Sequence, residues 1–239
     1  LRLSFDGTFW HGGHVEYYFT RLQQDNPDEC KNLKIVACDV DEKVMAKWKE
    51  FVSARTNQIS FYHSSYANIK EISQKEWLFD FMLLDLWVNL EHFKDWSRGF
   101  STNIDWKLDM RFDNTNWKSA YDIVNQYSVL ELTKIFEDYA EFTPKKSEEI
   151  AKKIVETRKN KPIETTFELK FLLNELGLGQ KACAVIFQAF RIETNKEIDN
   201  VKMLLGEIPN ILSDWWRCGI ITFHSLEDRV VKQWFKALA

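Results

Sequence analysis

Over the first hundred residues, short apolar runs alternate with stretches in which apolar positions recur at helical spacing. Leu1 to Phe5 reads as the end of a buried strand, closed by Asp6-Gly7 and a loop from Thr8 to Gly13. Helical spacing follows from His14 to Gln24. The run Asn32 to Cys38 predicts a second strand ending at Asp39-Val40-Asp41, and Glu42 to Ser53 predicts a helix. Ile59 to His63 and Phe79 to Leu86 predict two more strands. Strands alternating with helices at this pace imply right-handed βαβ units and a mostly parallel sheet, an α/β fold. Ligands of such sheets sit at the carboxyl ends of the strands, where Asp6, Asp39, Tyr66 and Asp85 fall.

The pattern changes near Arg111. From Trp117 to about Leu205 the periodicity is helical only, broken by Pro144, Pro162 and the Gly177-Leu178-Gly179 turn. Thr165-Thr166-Phe167-Glu168 predicts a capping box opening a helix. Strand character returns at Cys218 to Phe223, followed by a last helix from Leu226. A helical block between two α/β portions reads as an insertion. The expected division is residues 1–112 with 199–239, and an inserted helical domain over 113–198.

The chain has 239 residues, with 45% hydrophobic and 28% charged, which excludes a disordered or fibrous polypeptide. No run approaches the roughly 18 apolar residues of a membrane span, and the best, Phe79 to Leu90, contains two aspartates. The chain starts at Leu1 without a signal-peptide pattern, as an amino-terminal truncation would. Cys30, Cys38, Cys183 and Cys218 are scattered, which suggests neither a zinc site nor a disulfide framework and fits a reduced cytoplasmic setting. A net charge of −4 excludes a uniformly basic nucleic-acid binder. It leaves room for a local basic face, such as Lys145 to Lys161 with seven Lys/Arg against three Glu. One figure is abnormal: glycine numbers 8, about 3% against a usual 7% or so, while tryptophan numbers 10.

The loop Asp6-Gly7-Thr8-Phe9-Trp10-His11-Gly12-Gly13-His14 follows a strand and precedes a helix. Its glycines let backbone approach a ligand, and the helix start offers unpaired N–H groups to an anion such as a carboxylate. Asp39, 26 residues beyond Gly13, can accept from two ribose hydroxyls or serve as an N-cap for the next helix. Together these features point to a nucleoside-bearing cofactor. Their spacing leaves a nicotinamide dinucleotide and S-adenosylmethionine both open, although G-x-G-x-x-G is absent.

Seven further motifs recur in a familiar order. They are Asp6-Gly7-Thr8-Phe9 with Gly12-Gly13-His14, Leu83-Leu84-Asp85-Leu86, Arg98-Gly99-Phe100-Ser101 and Leu108-Asp109-Met110-Arg111. Lys161-Pro162-Ile163-Glu164-Thr165-Thr166, Phe187-Gln188-Ala189 with Arg191-Ile192, and Phe223-His224-Ser225-Leu226-Glu227-Asp228-Arg229 complete the series. The series resembles the RsmH (MraW) family, methyltransferases of a decoding-centre cytidine N4 in 16S ribosomal RNA. The resemblance spans essentially the whole chain. It implies a class I, Rossmann-like methyltransferase with an inserted all-helical domain for RNA recognition, S-adenosylmethionine as cofactor, the small ribosomal subunit as partner, and no metal. It also implies further residues before Leu1 and a basic tail beyond Ala239. Oligomeric state is left open, a homodimer included.

By the same resemblance Gly12, Gly13 and His14 hold the methionine end of the cofactor, Asp39 the ribose, and Tyr66 the adenine. Asp85 ends the fourth strand beside the methyl donor; it, or the backbone carbonyls near Trp87 and Val88, is the candidate catalytic group. His92 completes the cofactor set. Tyr66 could equally be a core aromatic and His92 a surface residue. Arg111, Arg191, His224 and Arg229 are expected to line the pocket for the extruded base, or to form a buried ionic network. The chain departs from the family pattern at Lys181 to Val185, at Tyr139 to Thr143 and at Asn89-Leu90. These departures support a second reading, a catalytically impaired RNA-binding relative. Trp10, Trp87, Trp106, Trp117, Trp215 and Trp216 all stand where the family pattern has glycine. A UGA codon decoded as glycine in the source cell and written as tryptophan would give this coincidence; a decayed enzyme with genuine tryptophans is the competing explanation.

Overall fold

The computed structural model describes residues 2–10, 12–86, 98–113, 115 and 118–238. They form two compact units: residues 1–87 with 198–239, and residues 88–197.

The first unit is built on a five-stranded parallel sheet of order β3-β2-β1-β4-β5. Its strands are β1 (Arg2–Asp6), β2 (Leu33–Asp39), β3 (Ile59–His63), β4 (Phe79–Asp85) and β5 (Leu212–Ile221). The helices α1 (Gly13–Asp25), α2 (Pro27–Asn32), α3 (Glu42–Ser53) and α4 (Ile69–Glu76) link the first four strands, with a 3₁₀ turn at Tyr66–Asn68. The period-2 alternation of β2 explains why both faces are covered. Leu33, Ile35 and Ala37 pack with Phe9, Val15, Phe19 and Val44 on one side. Val36 and Cys38 pack with Phe5, Ile69 and Ile72 on the other, together with Leu204, Leu205 and Ile208 from a helix near the carboxyl terminus. Strand order runs outward from β1 to β3 and then reverses through β4 to β5. That reversal opens the crevice in which open α/β sheets bind ligands.

The second unit is helical. It holds α5 (Ala120–Gln126), α6 (Val129–Ala140), α7 (Pro144–Arg158), α8 (Thr166–Glu175) and α9 (Gln180–Asn195). Thr165 caps α8 with Glu168 reaching back, as the sequence predicts, and two further capping boxes open α5 and α6 at Ser119 and Ser128. Phe136 and Phe190 meet edge-on, 5.5 Å between centroids, at the centre of its core. Phe100, Leu108 and Met110 belong to that same core, so the segment around Arg98-Gly99-Phe100-Ser101 packs with the helices although the shift in periodicity comes only near Arg111. The chain then returns through α10 (Glu197–Ile211), β5 and α11 (Ser225–Leu238).

Three elements differ from the sequence reading. Helix α2 fits between α1 and β2, started by Asn26, whose side chain accepts from Glu29 N–H, and by Pro27. The segment after β3 folds into α4, whose apolar positions are few but wholly buried at Ile69 and Ile72. Strand β5 begins at Leu212, six residues ahead of Cys218, because its register against β4 shifts: Phe79 faces Leu212 and Phe81 faces Arg217. Trp215 and Trp216 lie inside that irregularity.

Candidate active site

The site grows from the tips of three adjacent strands. β1 ends at Asp6, β2 at Asp39 and β4 at Asp85, and all three carboxylates are buried at 4%, 8% and 8% exposure. The parallel registers Asp6 to Ala37 and Asp6 to Leu83 carry the two outer aspartates two residues further along than the central one. The loop after β1 is stitched onto its neighbours. Gly7 N–H donates to Leu83 O at 3.0 Å, Phe9 N–H to Cys38 O at 3.2 Å, and Asp85 N–H to Thr8 Oγ1 at 2.8 Å. Thr8 N–H in turn donates to Asp6 Oδ1 at 3.0 Å.

Burial pushes the Asp6 carboxyl up to about 6; the charges of Asp39 and Asp85 add to this, while Thr8 N–H and His14 oppose it. Burial likewise holds the Cys38 thiol well above its usual range. Sequence reasoning placed Asp6 at a strand tip but gave neither it nor Thr8 a role. The signal was the clustering of acids at the ends of adjacent parallel strands, which becomes visible only once β1 is known to lie between β2 and β4.

Asp39 ties the loop to β2. Its Oδ2 accepts Trp10 N–H and its Oδ1 accepts Asp41 N–H, both at 2.9 Å. Asp39 is therefore not the N-cap of α3, the alternative left open above. That place belongs to Asp41, whose Oδ1 accepts Lys43 N–H at 3.0 Å.

Gly12 is the left-handed N-cap of α1, with φ +62°, and a Cβ there would press on Phe9 Cζ at 3.0 Å and the Trp48 ring at 3.3 Å. Gly13, the first residue of α1, faces open space, with nothing within 4 Å of where a Cβ would stand. The first turn of a 13-residue helix thus presents unpaired N–H groups to an open approach. His14 follows with its Nε2 3.8 Å from Asp85 Oδ2 and a side chain 42% exposed. Gly12, Gly13, His14, Asp39 and Asp85 therefore gather at one end of the sheet. Tyr66 opens the 3₁₀ turn just after β3 and is partly buried against the core. His92, Trp87 and Val88 lie outside the described residues.

The chain matches the MraW methylase family over residues 3–239. It belongs to that family. Among named relatives, the ribosomal RNA small subunit methyltransferase H of Clostridioides difficile is 42% identical over 213 residues, covering 85% of this chain and 68% of the relative. The protein of that name from Caldicellulosiruptor saccharolyticus is 38% identical over 237 residues, covering 97% and 74%. The one from Campylobacter jejuni is 37% identical over 235 residues, covering 97% and 72%. The parallel sheet with its reversed strand order is the Rossmann-like architecture of such methyltransferases, and among the described residues no helix is long and apolar enough to cross a membrane.

The four residues expected at the base pocket divide between the units. Arg111 and Arg191 belong to the helical unit. The Arg111 guanidinium is held by both oxygens of Asp109 at 2.8 Å, and Arg191 makes a bidentate pair with Glu197 at 2.8 and 3.0 Å. The carboxylate of Asp109 raises the Arg111 pKa further above its already high value. His224 and Arg229 belong to the sheet unit. His224 sits just ahead of α11, its Nε2 3.0 Å from Glu227 Oε1, while Glu227 Oε2 accepts Phe223 N–H at 3.0 Å. Arg229 is exposed on the first turns of α11.

Proposed function

We propose that this chain transfers a methyl group from S-adenosylmethionine to the N4 amine of a decoding-centre cytidine in small-subunit ribosomal RNA. The observation that carries this reading is the buried Asp39 carboxylate at the tip of β2, which clasps the glycine loop through Trp10 N–H and so ties that strand tip to the loop that opens α1. The donor set fits the cofactor. Gly13 and His14 would offer amides to its carboxylate, Asp39 would take the two ribose hydroxyls, and Tyr66 and His92 would complete the nucleoside end. When bound, the cofactor supplies a methyl group activated by an adjoining sulfonium.

The protein contributes alignment and charge. A cytosine amine is a poor nucleophile because its lone pair is drawn into the ring. A carboxylate accepting one N4–H favours the positive charge that develops as the amine attacks, and Asp85 is the residue for that role. Its place is fixed through the backbone, since Asp85 N–H is held by Thr8 Oγ1. Burial of Asp85 excludes competing water and strengthens the interaction. His224 and Arg229 are assigned to the RNA, holding the flipped base and neighbouring phosphates, while Arg111 and Arg191 hold carboxylates of their own unit, Asp109 and Glu197. The cluster of lysines on α7 supplies further phosphate contacts.

The test is transfer of radiolabelled methyl from S-adenosylmethionine to small subunits that lack the modification, with nuclease digestion and mass spectrometry to locate the label. Label at a cytidine N4, lost in Asp85→Ala, is the expected result. Binding to the subunits without transfer, in the chain with Trp10→Gly as well as without it, would favour the catalytically impaired reading. Label at another atom would overturn the assigned reaction.

A further inference from the structure

Among the described residues, five without a glycine's freedom have positive φ: Trp10, Trp77, Met110, Glu141 and Lys196. Three have an ordinary explanation. Glu141 and Lys196 follow α6 and α9 in left-handed caps, with ψ of 31° and 36°, a common way to end a helix. Met110 is fully buried and its N–H donates to Arg98 O at 2.8 Å, so packing holds it in place.

The two tryptophans are also hydrogen-bonded through the backbone, Trp10 N–H to Asp39 Oδ2 at 2.9 Å and Trp77 N–H to Ser73 O at 3.0 Å, but neither side chain is buried as Met110's is. Trp77 follows α4 with φ 97° and ψ −175°, a region of backbone space essentially reserved for glycine. Strain of that kind persists only where surroundings impose it, yet the Trp77 side chain is 84% exposed. Trp10 has φ 44° and is the first central residue of a four-residue turn that Gly12 N–H closes onto Phe9 O at 2.6 Å. Turns with positive φ at that place take glycine, asparagine or aspartate. The contrast with other tryptophans is direct. Trp48 lies within α3, edge-on to Phe9 at 5.9 Å and to Phe51 at 5.3 Å. Trp234 lies within α11, edge-on to Phe235 at 5.0 Å. Those two make the contacts for which an indole is suited; Trp10 and Trp77 occupy glycine backbones.

We propose that positions 10 and 77 carry glycine in the protein as its own cell makes it, the codons written there as tryptophan being decoded as glycine. Trp77 stands outside the six positions drawn from the family pattern, so its backbone is an independent indication. The excess of tryptophan (10) over glycine (8) in the chain follows from the same substitution of one letter for another. Trp48 and Trp234 are tryptophan in both versions. None of this depends on the methyl-transfer reading.

The experiment is mass spectrometry of the protein isolated from the cells that carry its gene, digested with trypsin. The peptides spanning residues 3–21, 76–94 and 233–236 separate the three cases. Glycine at 10 and 77 with tryptophan at 234 is the expected result; tryptophan at 10 or 77 overturns the proposal. A second arm uses recombinant chain with tryptophan at both positions as the parent. Trp77→Gly should raise the unfolding midpoint by roughly 3 °C or more, as relief of backbone strain does in a protein of this size. Trp48→Gly should lower it. An unchanged or lower midpoint in Trp77→Gly would remove the structural basis of the proposal.

Discussion

Thr8 Oγ1 accepts the backbone N–H of Asp85 at 2.8 Å, joining the loop after β1 to the tip of β4 through one hydroxyl. Because the same residue's N–H is held by Asp6, Thr8 sets the positions of two strand-end carboxylates. Thr8→Val keeps the shape and removes the acceptor, leaving a buried N–H without a partner, which costs about 1–3 kcal/mol. The variant should melt several degrees lower and bind S-adenosylhomocysteine more weakly by calorimetry. Unchanged melting would show that the hydroxyl is dispensable.

Asp6 predicts an unusual pH response. An acid whose pKa is raised on folding, here from 3.8 to about 6, binds protons more tightly folded than unfolded. Between these values the native state holds the extra proton, so this group's contribution to stability declines as pH rises from about 4 to about 6 and is flat above. Two units correspond to about 3 kcal/mol at most. Urea unfolding across that window should show a larger gain for Asp6→Asn relative to the parent at pH 7 than at pH 4. A difference independent of pH would mean that Asp6 titrates normally.

Asp39 and Asp41 stand two residues apart and do different work. Asp41→Ala removes the cap of α3 and should cost about 1 kcal/mol of stability with little change in cofactor affinity. Asp39→Ala should also lose stability, because Trp10 N–H and Asp41 N–H lose their acceptor, and in addition should weaken S-adenosylhomocysteine at least tenfold. Equal affinities in the two variants would take the ribose away from Asp39.

The two arginines Arg191 and Arg229 should separate structure from RNA contact. Arg191 is paired bidentately with the buried Glu197, so Arg191→Ala strands that carboxylate and should cost about 3 kcal/mol. Arg229 is exposed, and Arg229→Ala should leave the melting midpoint within about 1 °C while raising KM for the ribosomal subunit. A stable Arg191→Ala would leave that arginine for the RNA alone.

Much of this was legible in the residues. The strand-helix alternation located β1 to β4 and α3 almost to the residue, because parallel strands buried on both faces leave short apolar runs with sharp ends. Thr165 with Glu168 announced α8 through its capping chemistry. The glycine pair was found at the start of α1 and Asp39 at the tip of β2. Helices α2 and α4 were missed because their signal lies in a cap or in two buried isoleucines, too few to establish a period. The start of β5 was missed because Ser213 and Asp214 interrupt its apolar run, and pairing with β4 overrides that local pattern. Asp6 needed the sheet order, which no local window contains.

The sheet unit is discontinuous in sequence and the helical one is continuous. Residues 88–197 are all synthesised before β5, which pairs along β4, is made. During synthesis the four earlier strands must therefore wait with one edge open until the final stretch arrives, whereas the helices can close their own core in the meantime. A chain arrested before Leu212 should thus expose a β4 edge ready to pair with any extended neighbour, which makes that interval the point at which this protein is most prone to misassemble.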